Sequence, residues 1–277
     1  MTVTTTASQA SRPLVWRMLP PVLVDARRGQ RLIERNVYVY RRTWMIIVSG
    51  FFEPIFYLVS IRLGLGALVG DVSVDGHLVD YAQFVAPALL ASSAMNGAIY
   101  DSTMNVFFKL KYARTYDAVL ATPLGVGDVA LGEIGWALIR GAIYATGFLV
   151  VMLVMGLAAS PWVVLCVPAA LLIGFAFAAV GLAGCSYARS WADFTWIQAV
   201  QVPLFLFSAT FYPLSVYSPG LQVVVRLTPL YHGVELCRAF STGHLSWSLL
   251  VDVAYLLVMG LIGLVVSSRR LATLLLH

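Results

Sequence analysis

The chain has 277 residues, 60% of them hydrophobic and only 11% charged, with a formal charge of +5 and a mean hydropathy of +0.85. A soluble domain carries roughly 25% charged residues, so this composition excludes an ordinary soluble enzyme and points to a polytopic membrane protein. Nor does the basic excess suit a nucleic-acid binder, because the arginines gather at the ends of apolar runs, where they orient a membrane chain.

In chain order, residues 1–28 read as a disordered cytoplasmic tail, whose first eleven residues are rich in Thr, Ser and Ala and hold no apolar run of a signal peptide. Over 29–44, with the helix itself at 29–43, the residues Ile33, Val37, Tyr40 and Trp44 recur at i, i+4, i+7 and i+11, while Arg31, Arg35, Tyr38 and Arg42 repeat the spacing on the opposite face. This pattern predicts a basic amphipathic helix lying in the membrane interface; a solvated charge run is the alternative.

The remainder, 29–277, reads as one all-α transmembrane domain with six spans. These fall at about 44–63, 81–103, 126–157, 161–187, 194–211 and 248–267, and several reach the roughly 20 residues that cross a hydrocarbon core. Gly64 to Asp80 is expected to be a loop, holding Asp71, Asp75 and Asp80 but no Lys or Arg. Residues 212–247 are interrupted at Pro213, Pro219–Gly220, Pro229 and Gly243. They are too apolar for a solvated loop and too broken for a span, which predicts a re-entrant hairpin of two short helices, near Leu221–Leu227 and Tyr231–Phe240. With six spans, fourteen of the eighteen Lys and Arg residues fall on one side, and the positive-inside bias puts both termini in the cytoplasm.

Four charges, Glu53, Asp101, Glu133 and Arg140, lie within or at the edges of apolar spans. A lone charge at the bilayer centre costs about 2.5–3.5 kcal/mol on insertion scales, so such groups face a partner or water. Glu133 and Arg140, seven apart, share a helix face and could pair with charges on neighbouring spans; Glu53 is a candidate for Arg140. Structural pairing and the lining of a polar path both remain open for this set. His232, Glu235 and Arg238 recur every three residues and are expected to satisfy one another on one face.

Cys166, Cys185 and Cys237, and His77, His232, His244 and His277, show no zinc or redox spacing. No metal site, catalytic residue or cofactor is expected in this chain. The phosphate loop G-x-x-x-x-G-K-[ST] is absent too. The polar, aromatic-rich segment 105–123 holds the only two lysines, Lys109 and Lys111, between two apolar runs. It reads as a docking surface for a motor subunit supplied by another chain, with Tyr112 and Tyr116 as aromatic anchors and Arg114 and Asp117 setting orientation by charge.

The run from Lys109 through Tyr112, Arg114, Tyr116 and Asp117 to Pro123, followed by Asp128 and Gly132–Glu133, resembles the cytoplasmic loop of the membrane subunit of type-2 ABC exporters, in particular the Nod-factor, polysaccharide and drug export permeases. A second stretch, Phe211–Tyr212–Pro213–Leu214, Pro219, Thr228–Pro229–Leu230, Glu235, Arg238 and Gly243, resembles the segment before that family's last span. The resemblance runs from about Arg28 onward. It implies a half-transporter in the cytoplasmic membrane that pairs with a second copy of itself, with ATP and Mg bound by a separate ATP-binding cassette ATPase subunit. It further implies a coupling helix over about Phe107–Leu120, using Lys109, Lys111, Tyr112, Arg114, Tyr116 and Asp117. The interfacial helix would form a gate, with Arg31, Arg35, Tyr40, Arg42 and Trp44, for an amphiphilic lipo-oligosaccharide, glycolipid or drug; arginines that merely anchor the helix to anionic lipid are the alternative. Pro213, Pro229, Glu235 and Arg238 would shape the re-entrant hairpin. A proton-coupled carrier or a membrane-embedded lipid or sugar transferase is the competing class. The first would favour inverted repeats and the second clustered His, Asp and Glu, and neither pattern is found.

Overall fold

Long apolar runs with few breakers leave the backbone one way to satisfy its polar groups away from water, the α-helix. The computed structural model describes residues 32–38, 45, 52–74, 77–113, 115–122 and 126–275. Within them α1 (Phe52–Ser60) runs on through a π-turn at Ile61–Leu65 and a last turn at Gly66–Val69. A two-stranded antiparallel hairpin follows, β1 (Asp71–Val74) and β2 (His77–Asp80), with Asp71 opposite Asp80. Then come α2 (Tyr81–Tyr100), α3 (Val106–Lys111), α4 (Thr115–Leu120) and α5 (Val126–Val154). The chain continues with α6 (Cys166–Cys185), α7 (Phe194–Leu206), α8 (Pro219–Leu227), α9 (Pro229–Thr242) and α10 (Leu249–Leu275).

Among the described residues three helices are long and apolar enough to cross a membrane: Gly127–Val154, Pro161–Cys185 and Leu249–Leu274. The 20 residues of α2 give about 30 Å of helix, but Gln83, Ser92, Ser93 and Asn96 make it more polar and most of its side chains are buried. It is therefore largely enclosed, with protein on most sides. At the centre of the bundle, α6 packs against α10, α2, α5 and α9. Small residues permit this closeness, as expected where helices associate without a solvent-driven hydrophobic term. On α10, a Cβ added to Gly263 would stand 2.7 Å from the Val180 backbone nitrogen of α6.

Several expected boundaries move. Residues 64–80, read as a loop, contain the β-hairpin, in which Val72 and Val79 face each other and pack against the core. Asp80 caps α2 by accepting from the Ala82 N–H at 2.6 Å. The helix expected over 194–211 stops at Leu206; the chain then bends, and Ala209 adopts a left-handed φ of 55°. The last helix runs past the expected 267 to Leu275, because Ser267 and Ser268 return their hydroxyls to the Leu264 and Val265 carbonyls and leave the helix unbroken. Helices α8 and α9 lie where the prolines place them, with Pro219 and Pro229 in their first turns.

Residues 32–38 are helical, but the buried stripe is Leu32 and Asn36, and Val37 is exposed. Ile33 stays on the packed side, partly buried, its side chain filling the space above Gly135 on α5, so of the expected face Val37 alone turns outward within 32–38. Arg35 and Tyr38 face outward. Arg31, Tyr40, Arg42, Trp44 and Arg114 lie outside the described residues, as do residues 1–28 and the side chains of Glu53 and Asp117.

Candidate functional site

The segment after α2 is an elbow, and two ion pairs fasten it to α5. A π-turn, Asp101–Asn105, joins α2 to α3. On α3, Lys109 meets Glu133 of α5 at 2.7 Å; the two side chains are 12% and 4% exposed. Two turns further along the same face of α5, Arg140 meets Asp101 at 2.9 Å, both largely buried. Asp101, which the π-turn brings onto the α5 face, is thus a partner of Arg140; the Glu53 side chain, the candidate from sequence, lies outside the described residues. The four groups carry two charges of each sign, and Asp101 sits in the field of Arg140, Lys109 and Glu133 together.

The single coupling helix expected over 107–120 is two helices, α3 and α4, separated by a turn at 112–113. This break redistributes the expected anchors. Tyr116 is 1% exposed and faces Glu133. It cannot anchor a partner, because it is packed inside the elbow. Burial first, and then the Glu133 carboxylate, hold its phenol well above the usual range. Lys109 is likewise committed inward, whereas Lys111 and Tyr112 face outward.

The outward face is aromatic. Phe107 is buried at its base, 5.2 Å from Trp191 and 4.9 Å from Phe194, both edge-to-face. Tyr112 stacks between Phe108 and Trp191, with each centroid 5.9 Å away. Phe108, Tyr112 and Trp191 remain 52%, 58% and 45% exposed. Trp191 stands at the start of the turn leading into α7, where a capping box between Ser190 and Asp193 fixes the chain. The Arg189 and Ser190 backbone N–H groups hold the Asp193 carboxyl below its usual range. Sequence reading missed Trp191; an aromatic residue within a short polar link was the signal available.

Between α2, α5 and α7 lies a cavity of about 440 Å³. Asn96, Tyr100, Thr103, Arg140, Gln198 and Gln201 line it, among others. Gln201 donates to the Asn96 side-chain oxygen at 2.7 Å. The lining is rich in amide and hydroxyl groups, and Arg140, the one charged side chain in it, is already paired with Asp101.

At the opposite end of the helices, Arg238 of α9 donates to Glu235 at 2.8 Å and to the Ala209 carbonyl at 2.8 Å, and its guanidinium lies 4.0 Å from the Phe84 ring centroid. It thus holds the left-handed bend after α7. The expected trio divides here: His232 turns away from Glu235 and pairs with Asp252 of α10 at 2.6 Å, stacking on Tyr255 at 4.1 Å. Pro213 leads into a short 3-10 turn, and Pro229 opens α9. Cys166, Cys185 and Cys237 are buried as core residues.

A polar-lined helical membrane bundle with an aromatic elbow matches one family over most of its length. Residues 29–241 match the ABC-2 type transporter family, and the chain belongs to it, a membrane-embedded family of transport permeases. Among its relatives, the nodulation protein J of Sinorhizobium fredii is 32% identical over 211 residues, covering 73% of this chain and 79% of the relative. The nodulation protein J of Rhizobium leguminosarum bv. viciae is 27% identical over 241 residues, covering 86% and 91%. The inner membrane transport permease YadH of Escherichia coli is 24% identical over 216 residues, covering 76% and 80%.

Proposed function

We propose that this chain is the permease half of an ATP-driven exporter of the cytoplasmic membrane. In this reading six spans put both termini in the cytoplasm, and α8–α9 form a re-entrant pair in the outer leaflet. Two copies face each other across the path, and a separate ATP-binding cassette subunit, holding ATP and Mg, docks on the elbow. The observation that carries it is the elbow itself: an exposed aromatic face, Phe108, Tyr112 and Trp191, mounted on helices tied by ion pairs to α5. Exposed stacked aromatics beside charge are the usual anchors of a protein interface.

The lining of the cavity speaks to the cargo. Its uncharged amides and hydroxyls suit a hydroxyl-bearing head, with the apolar part of the molecule in the bilayer. Of lipo-oligosaccharide, glycolipid and drug, this favours the two sugar-headed classes. Arg35, outward on the segment before the first span, stands where such a head enters; Arg31, Tyr40, Arg42 and Trp44 complete that proposed gate.

The test is purification from the native membrane. The chain alone is expected to hydrolyse no ATP, and a co-purifying ATP-binding subunit is expected to do so, faster in the complex than by itself. Hydrolysis by the isolated chain, or a chain that exports with no such subunit bound, removes the proposal.

A further inference from the structure

We infer that the Lys109–Glu133 and Asp101–Arg140 pairs are a two-point register latch on the π-turn, and that releasing the Lys109 end turns the elbow and reshapes the polar cavity. This rests on the docking reading above and assigns positioning roles to four residues that touch no partner face.

The geometry is specific. Asp101 opens the π-turn, and Lys109 lies four residues beyond its end. Both bind one face of α5, at Arg140 and Glu133, two turns apart. A π-turn holds one more residue per turn than the α-helix that flanks it, and such turns concentrate at functional sites and kinks. Reverting it to α would rotate everything beyond it by about 100°, the angle of one residue in a helix of 3.6 per turn. Only one register therefore satisfies both ion pairs at once.

The turn is also connected to the cavity. Thr103 and Met104 of the π-turn line it, together with Tyr100 just before and Arg140 opposite. On its other side the turn leans on α6, where the Cys185 thiol donates to the Thr103 carbonyl at 3.3 Å and Ser102 fills the space above Gly181. A change of register therefore changes the cavity wall. Buried ion pairs are often no more stabilising than well-packed apolar side chains of the same volume. Their use here is to make one arrangement unique and reversible: a partner pulling on α3 and α4 has a discrete contact to break and re-form.

The experiment uses the assembled complex in membranes with Gln198→Cys on α7 as reporter, an exposed position in the cavity wall. The native thiols are buried. Alkylation by a small maleimide is timed without nucleotide and with ATP plus vanadate. The expected result is a rate that changes several-fold between the two states. With Lys109→Met or Glu133→Gln the rate becomes nucleotide-independent while hydrolysis persists; the reversed pair Lys109→Glu/Glu133→Lys restores the response. Should the single variants fail to reach the membrane, Asp101→Asn/Arg140→Gln removes both members of the other pair, and the response is again expected to vanish. A hydrolysing complex whose reporter responds to nucleotide in these variants as in the unaltered latch overturns the inference. So does a reporter that never responds while ATP is hydrolysed. Failure of any ATP-binding subunit to assemble with the chain instead overturns the docking reading.

Discussion

Tyr112 on the elbow and Trp191 in the link before α7 stack with centroids 5.9 Å apart, although 79 residues separate them in sequence. The contact makes one surface from two polar links, so the proposed docking face is broader than the elbow. Trp191→Ala and Tyr112→Ala should each weaken binding of the ATP-binding subunit. Interface aromatics of this kind cost about 2 kcal/mol or more on truncation, roughly thirtyfold in affinity. Titrating that subunit against the permease in nanodiscs measures it; unchanged affinity in Trp191→Ala would confine docking to the elbow.

Tyr116 gives the opposite outcome from the same segment. Truncating a buried aromatic costs about 3–5 kcal/mol of stability, and Tyr116 is buried against the elbow core. Tyr116→Ala should therefore reduce the folded amount in the membrane, and whatever protein folds should bind the ATP-binding subunit with ordinary affinity. Membrane abundance measured beside affinity separates the two residues.

Arg140 and Asp101 predict a non-additive pair. Removing one partner of a buried ion pair strands the other, at about 3–5 kcal/mol. Arg140→Gln alone should lower the thermal midpoint in detergent by more than Arg140→Gln/Asp101→Asn together. Equal or additive losses would mean that the pair is solvated rather than enclosed.

The contrast between these residues shows what the sequence carries. Composition, the proline breaks and the basic ends of apolar runs are local signals, and they located α5, α6, α8, α9 and α10. The π-turn, by contrast, is a register choice made by packing against Gly181 and Arg140, and no periodicity marks it. Without it, Asp101 could not be assigned to Arg140. Tyr112 and Tyr116 are four apart and look alike in sequence; the turn at 112–113 sends one outward and one inward. Trp191 joined the site only through a contact between distant links.

Arg238 predicts a failure of conservative replacement. Its planar fork serves Glu235 and the Ala209 carbonyl while its face covers Phe84. A lysine ammonium is a point charge that cannot make these contacts at once. Arg238→Lys should lose about 1.5–3 kcal/mol, the value of a hydrogen bond to a charged group, read as a lower thermal midpoint. A lysine variant as stable as the parent would show that the left-handed bend at Ala209 needs no such clamp.

Membrane orientation is the last prediction, and two exposed positions decide it. Ser218 precedes α8 at the end where Arg238 and the bend lie, and Ala113 sits in the turn between α3 and α4, beside Tyr112. The three native cysteines are buried and should contribute little background. In the proposed topology, which the count of basic residues favours, the elbow is inside, so Ser218→Cys should react with an impermeant maleimide in intact cells, and Ala113→Cys only after permeabilisation. The elbow must be cytoplasmic for an ATP-binding subunit to reach it. Labelling of Ala113→Cys from outside intact cells would therefore overturn the topology and the docking proposal together, while loss of labelling at Ser218→Cys alone would confine the error to the 212–247 hairpin.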